Sequence, residues 1–155
     1  MGKTFFSFVL LITLTFSVNS QEISNNAIGV RLGNNSGFGS EISYQSLIGY
    51  TNRLEIDLAI QSKNGINTYK TTGVFHWIWT ITERFNWYIG FGGGIGNYRN
   101  STISKIFYFS SGDIGLEYNF EAPFLISFNY RPEYGYHEVY KGFNSDVAIS
   151  LRYQF

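Results

Sequence analysis

The chain has 155 residues, no cysteine, and eleven basic side chains against eleven acidic ones. Without cysteine there can be no disulfide, thiol nucleophile, zinc-thiolate site or lipid-modified N-terminal Cys, and the balanced charge argues against nucleic acid, whose phosphates demand an excess of Lys and Arg. Fifteen Phe, twelve Tyr and three Trp make 19% of the chain aromatic, so the fold must house an unusual number of rings.

The first twenty residues, MGKTFFSFVLLITLTFSVNS, differ from the rest. Lys3 gives a short basic start, Phe5 to Phe16 is largely apolar, and Val18-Asn19-Ser20 offers acceptable side chains for cleavage before Gln21. The apolar run is shorter than the roughly 20 residues of a spanning helix. This pattern predicts a secretory signal peptide at 1-20. Residues 21-155 then form one domain, with no Pro- or Ser-rich linker, charge run or repeat to divide them.

From there the apolar residues recur at every second position, and no segment keeps helical spacing for three turns. Strands are predicted over 27-34, 37-49, 52-62, 68-80, 85-97, 106-119, 124-133 and 144-155. In the third, Leu54, Ile56, Leu58 and Ile60 share one face while Arg53, Glu55, Asp57 and Ala59 share the other. In the fifth, Phe85, Trp87, Ile89, Phe91 and Ile95 oppose Asn86, Tyr88, Gly90, Gly92, Gly94 and Gly96. The sixth is irregular, since Phe107 and Phe109 fall on the parity of Asp113, Gly115 and Glu117, and its start reads as loop. The seventh sets Phe124, Ile126, Phe128 and Tyr130 against Ser127, Asn129, Arg131 and Glu133, and the eighth sets Val147, Ile149, Leu151, Tyr153 and Phe155 against Asp146, Ala148, Ser150, Arg152 and Gln154. Tight links around Tyr50-Thr51, Thr82-Glu83-Arg84 and Glu121-Ala122-Pro123 alternate with connections read as longer loops, Asn34 to Gly37, Ser62 to Asn67, Asn97 to Lys105 and Tyr134 to Phe143. Eight strands joined in this way describe an up-and-down barrel.

Alternation alone does not say whether the apolar face meets a core or a lipid. The polar face carries Arg31, Glu41, Arg53, Glu55, Asp57, Lys70, Asp113, Glu117, Arg131, Glu133, Asp146 and Arg152, interleaved with small residues. Small side chains among opposite charges suit the interior of an eight-stranded barrel, which is just wide enough to be filled. Gly90, Gly92, Gly94 and Gly96 are expected to leave room there for long Arg and Glu chains. Seven acidic and five basic groups are near balance, which favours a paired network over open water, because an unpaired buried charge is costly. On the apolar face, Tyr69, Trp77, Trp79, Phe85, Trp87, Tyr118, Phe120, Phe124, Tyr130, Tyr153 and Phe155 lie towards strand ends with aliphatic residues between, the aromatic girdles of a barrel wall in a bilayer. The fold class read from the sequence is therefore all-β, an eight-stranded antiparallel up-and-down transmembrane β-barrel.

The ending ISLRYQF resembles the C-terminal strand of Gram-negative outer-membrane proteins. The resemblance implies that Leu151, Tyr153 and Phe155 are an assembly signal read by the barrel-assembly machinery. NAIGVRLG, GFGSEISYQ, NRLEIDLAI, FNWYIGFGGGIG, DIGLEYNF, YRPE and GFNSDVAISLRYQF together look like small single-domain outer-membrane β-barrel proteins of undefined activity, similar in design to the transmembrane barrel of outer membrane protein A. It implies export to the cell outer membrane, lipid as the surrounding partner, both termini periplasmic and four loops facing out. No catalytic residue, cofactor or metal is implied. The expected role is structural or surface-interacting, through the Tyr- and Gly-rich stretch 134-143, with a small pore as the alternative and a secreted ligand-binding barrel as a more distant one.

One enzymatic reading is weighed. Outer-membrane lipid A deacylases carry His-x-Ser-Asn shortly before the last strand, where Ser attacks and His is its base. Here His137-Glu138-Val139-Tyr140 puts Val139 at the nucleophile position. His76 has no metal-ligand spacing around it and reads as a satisfied barrel residue. The run GFGGGIG misses the G-x-G-x-x-G nucleotide pattern in every frame.

Overall fold

A computed structural model describes residues 25-35 and 38-155. The signal peptide expected at 1-20 lies outside them. Eight strands, β1 (Asn26–Asn35), β2 (Phe38–Leu47), β3 (Asn52–Lys63), β4 (Ile66–Thr80), β5 (Phe85–Arg99), β6 (Ser104–Asn119), β7 (Phe124–Gly135) and β8 (Gly142–Gln154), follow one another round a closed barrel, every neighbouring pair antiparallel. Pairing of β1 with β8, from Ala27 opposite Gln154 to Leu32 opposite Ile149, closes the ring and leaves no free sheet edge.

The period-two pattern acts as a sorting rule. On β3, Arg53, Glu55, Asp57 and Ala59 are buried while Ile56, Leu58 and Ile60 are exposed. Around the wall Ile60 is 68% exposed, Phe91 65% and Phe128 54%. This is an inverted soluble protein: charges inside, aliphatic and aromatic chains outside. A continuous apolar wall is what hydrocarbon requires, and a closed ring satisfies every strand's backbone within the sheet.

At the end where β1 begins and β8 finishes, the turns Ile48–Thr51, Ile81–Arg84 and Phe120–Pro123 share one design. Each opens with an exposed apolar residue whose N–H donates to the carbonyl four residues on, Ile48 to Asn52, Ile81 to Phe85 and Phe120 to Phe124. The opposite end departs from expectation. Ser62 to Asn67 is no long loop: the β3–β4 ladder runs on to Lys63 opposite Ile66, leaving a two-residue turn, Asn64-Gly65, with φ of 52° and 75°. Both residues in left-handed conformation make the tight hairpin turn whose twist matches its strands, a geometry for which Asn-Gly is the favoured pair. The β5–β6 connection likewise shrinks to Asn100–Ile103. The start of β6 is also strand and not loop; it pairs continuously with β5 from Arg99 opposite Ser104. The extra length of this end lies in the strands.

Candidate functional site

The interior is the candidate site. All twelve charged residues of the inward parity lie inside the barrel, none more than 4% exposed. Alternation turns each of them inward, and small neighbours such as Ser43, Ala59, Ser111, Ser127, Ala148 and Ser150 make room between them.

Their centre is Arg131. From β7 its guanidinium crosses to β3, the strand on the far side of the ring, and donates to Glu55 Oε1 and Asp57 Oδ2 at 2.7 Å each. It also reaches Asp113 Oδ2 at 3.0 Å and Glu41 Oε2 at 3.5 Å. A planar fork can satisfy several carboxylates at once, which a Lys ammonium on a single point could not do in the same geometry. Arg152 joins Glu55 at 3.1 Å and holds the hydroxyls of Ser43 and Ser127. Arg31 bridges Asp146 at 2.6 Å and its cross-strand neighbour Glu41 at 3.0 Å. Lys70 spans to Glu133 at 3.1 Å and to Glu41 at 3.5 Å. Arg53 holds Glu117 at 2.6 Å and turns its Nε to His76 Nδ1 at 3.4 Å, while His76 Nε2 faces Asp113 Oδ2 at 3.3 Å. Through these contacts all twelve residues and His76 form one connected network. Burying so many charges is tolerable only because partners surround nearly every one.

The β6–β7 ladder breaks at the hub. Pairing stops at Ser111 opposite Glu133 and resumes at Ile114 opposite Tyr130. Pro132 has no N–H to donate, and its ring needs the space that Gly112 leaves, since a Cβ there would stand 3.3 Å from Pro132 Cγ.

At the loop end the filling changes. Phe107 is 1% exposed, Phe109 4% and Tyr140 9%, and the three rings pack together inside the mouth, with Tyr140 stacked on Phe107 at 4.9 Å between centroids. Their inward parity is unbroken. Three of the four glycines expected to house Arg and Glu chains serve these and other rings instead, since a side chain at Gly96 would strike Phe107, one at Gly94 would strike Phe109 and one at Gly90 would strike His76, while one at Gly92 would strike the Gly73 backbone. Tyr140 arrives from a short 3₁₀ turn, η1 (Glu138–Tyr140), and donates to Glu133 Oε2 at 2.6 Å, which ties the aromatic cap to the ionic network. The 134-143 stretch is therefore divided. Tyr134 and Tyr136 stay on the outer surface, with Tyr136 stacked on Tyr108, while Tyr140 is drawn inward. Sequence reasoning missed Tyr140, since nothing local to the loop marks which tyrosine turns in; for Phe107 and Phe109 the parity was available.

Glu55, His76 and Asp113 place three ligand-type atoms within 4.8 Å of one another. The positive charge such a group would ask of a metal is already supplied, with Arg131 Nη2 at 2.7 Å from Glu55 and 3.0 Å from Asp113. The donor set fits an ion-pair cluster better than a cation site. His137 caps η1, its Nδ1 accepting from the Val139 N–H at 3.5 Å. The three residues expected to form a terminal signal point outward: Leu151 on β8 and Phe155 just past its end are exposed, Tyr153 packs against Phe124, and Phe155 exchanges backbone hydrogen bonds with Asn26.

The sequence matches no family model and no curated protein. Solved structures resemble it in shape. The N-terminal β-barrel domain of Pseudomonas aeruginosa OprF superposes with a TM-score of 0.68 at 14% identity, over 85% of this chain and 98% of that one. Neisserial surface protein A gives 0.60 at 15% identity, over 84% and 94%. Ail, the attachment invasion locus protein of Yersinia pestis, gives 0.55 at 14% identity, over 85% and 97%. At such identities the likeness concerns the fold alone, and the fold is that of the eight-stranded transmembrane barrels of outer membranes.

Proposed function

We propose that this protein is an integral barrel of the cell outer membrane without enzymatic activity, serving a structural or surface-interaction role, with an interior closed to bulk flow by its own side chains. The observation that carries this reading is the pairing of an exposed apolar wall with a lumen in which Arg131 reaches from one side of the ring to the other. Exposed to water, a wall of that extent would drive association, whereas in lipid it is at rest. Chains bridging opposite strands leave little open cross-section, and freely conducting porins use 16 to 18 strands where about eight leave an interior that side chains fill. The barrel-assembly machinery would read the outer face of β8, and the η1 end would face outward.

Membrane fractionation with carbonate washing, heat-dependent gel migration and planar-bilayer recording test it together. Expected are carbonate-resistant outer-membrane protein, faster migration before boiling, and no large stable conductance. Soluble periplasmic protein would sink the placement. The small-pore reading keeps one observation in its favour: among the described residues, Arg31 Nη2, Arg53 Nη2 and Asp57 Oδ1 are buried with no hydrogen-bond partner, the kind of atom that ordered water satisfies. Steady currents of porin size would move that reading to first place.

A further inference from the structure

The outward face of β5 changes character at one height. From Phe85 through Trp87, Ile89, Phe91 and Gly93 to Ile95 it carries no polar group beyond the Trp87 indole, and then it ends in Asn97 and Arg99. At about 3.3 Å per residue and a strand tilt of about 40°, that apolar run is about 25 Å tall, the height of a barrel's lipid-facing band. Asn97 then stands about 5 Å beyond the hydrocarbon, in the headgroup layer, and Arg99 about 10 Å beyond, from where a long side chain can reach back to that layer.

A shallow groove of about 240 Å³ on the outer wall meets this border, with Tyr69, Thr71, Ile95 and Ile106 along its length and Asn97 at its polar end. It lies outside the barrel, apart from the ionic lumen and the aromatic cap. The polar groups beside it share one bias. Asn97 Oδ1 accepts from the Ser104 hydroxyl at 3.2 Å, and Asn67, the cross-strand neighbour of Arg99, accepts on its Oδ1 from the Ser62 hydroxyl at 2.7 Å. Each amide oxygen already has a donor, so what the two side chains offer is their NH2 groups. Arg99 is exposed and makes no ion pair among the described residues, and no carboxylate lines the groove.

These features sort the ligand classes. A guanidinium flanked by two amide NH2 groups suits an anion with several acceptor oxygens, and its fork matches phosphate at two points. A zwitterionic headgroup would bring an ammonium to a place with no carboxylate to receive it. A free phosphate ion would leave the groove unused. A lipid ending in a phosphate monoester uses both parts, its charge at Arg99 and a stretch of chain along Tyr69, Ile95 and Ile106. The exposed charges of the two ends agree with this: Arg99 and Lys141 stand at the η1 end beside the Lys105–Glu138 pair, whereas at the turn end Arg84 is matched by Glu121 with Glu83 next to it. We propose that Arg99, Asn97 and Asn67, with the groove below them, bind a membrane lipid that carries a phosphate monoester. The proposal rests on the transmembrane reading and adds to it a lipid partner of stated chemistry.

The test uses the chain folded in detergent micelles and native mass spectrometry, which counts the lipids retained as phosphatidic acid or phosphatidylcholine of the same chains is titrated. Expected is one phosphatidic acid held per barrel, preferred over phosphatidylcholine by at least about tenfold. Arg99→Ala should abolish the preference and Arg99→Lys should restore part of it, since an ammonium keeps the charge but not the fork. Asn97→Ala should weaken retention about threefold, the loss of one hydrogen bond. Arg84→Ala, at the opposite end, should change nothing. Raising salt from about 0.1 M to about 1 M should weaken retention, because the cation is exposed. Inorganic phosphate in excess should not displace the lipid. Heat-dependent migration confirms that each variant is folded. The proposal fails if phosphatidylcholine is held equally well, if Arg99→Ala retains phosphatidic acid as the unmodified chain does, or if inorganic phosphate displaces the lipid. Carbonate extraction reads the transmembrane placement separately: an extractable protein overturns that placement and this site with it, whereas a carbonate-resistant barrel without the preference overturns this site alone.

Discussion

The lumen holds two regions built on opposite principles. Around Arg131 the space is filled by charges from β1, β2, β3, β4, β6, β7 and β8, each tied to partners across the ring. At the η1 end it is filled by Phe107, Phe109 and Tyr140, with glycines of β5 cleared beneath the rings. The ionic region is specific but exposed to failure, because every member depends on others being present. The aromatic region depends on volume, and a mouth can partly collapse when volume is lost. Both occupy the same lumen by different means, so their energetics should separate under mutation.

The largest effect is expected at the hub. Arg131→Ala leaves Glu55, Asp57 and Asp113 crowded without their shared cation, and removing one partner of a buried pair costs about 3 to 5 kcal/mol, with the upper end expected here. Denaturant unfolding in micelles, followed by loss of the compact gel band, reads the shift. Next comes Phe107→Ala, at about 3 kcal/mol, the low end for a buried Phe because the mouth can close over part of the void. If Phe107→Ala proves more damaging than Arg131→Ala, the aromatic cap and not the ionic network holds the barrel, and the contrast drawn between them inverts.

Gly96→Ala examines the same cap from the opposite direction. The new methyl group meets the Phe107 ring, and overpacking of that kind costs about 1 to 3 kcal/mol; combined with Phe107→Ala, the penalty should largely disappear. A double mutant no better than the sum of the singles would show that the ring and the glycine are not complementary. Tyr140→Phe keeps the stack but removes the donor to Glu133, and a hydrogen bond to a charged group contributes about 1.5 to 3 kcal/mol, so a loss near the lower figure is expected in the same unfolding assay. The smallest change lies outside the lumen. Arg84 and Glu121 pair at the turn end in open solvent, where the carboxylate holds the guanidinium above its ordinary pKa, and Arg84→Ala should leave the unfolding midpoint unmoved.

Much of this architecture was legible because strand parity is local. The alternation of Leu54, Ile56, Leu58 and Ile60 with Arg53, Glu55 and Asp57 needs no partner strand to be read, and the same rule places the other charged residues inside. Where the reading failed, a local signal was overridden or misjudged. Asn64-Gly65 announces a two-residue hairpin, yet the polar residues around it read as a longer loop. Phe107 and Phe109 keep perfect parity, but an aromatic pair on the parity of Asp113 and Glu117 reads as loop at the start of the sixth strand.

The sequence by itself determined the number of strands, their faces and the sign of each face, because these follow from side-chain period and composition over a few residues at a time. Only the tertiary structure decided who meets whom inside. Closing β1 on β8 sets the width of the ring and brings β7 opposite β3, so that Arg131 finds Glu55 and Asp57 more than seventy positions away, and it turns one tyrosine of a loop into the keystone between rings and charges. Those meetings depend on closure and stagger, properties of the whole ring that no single strand encodes.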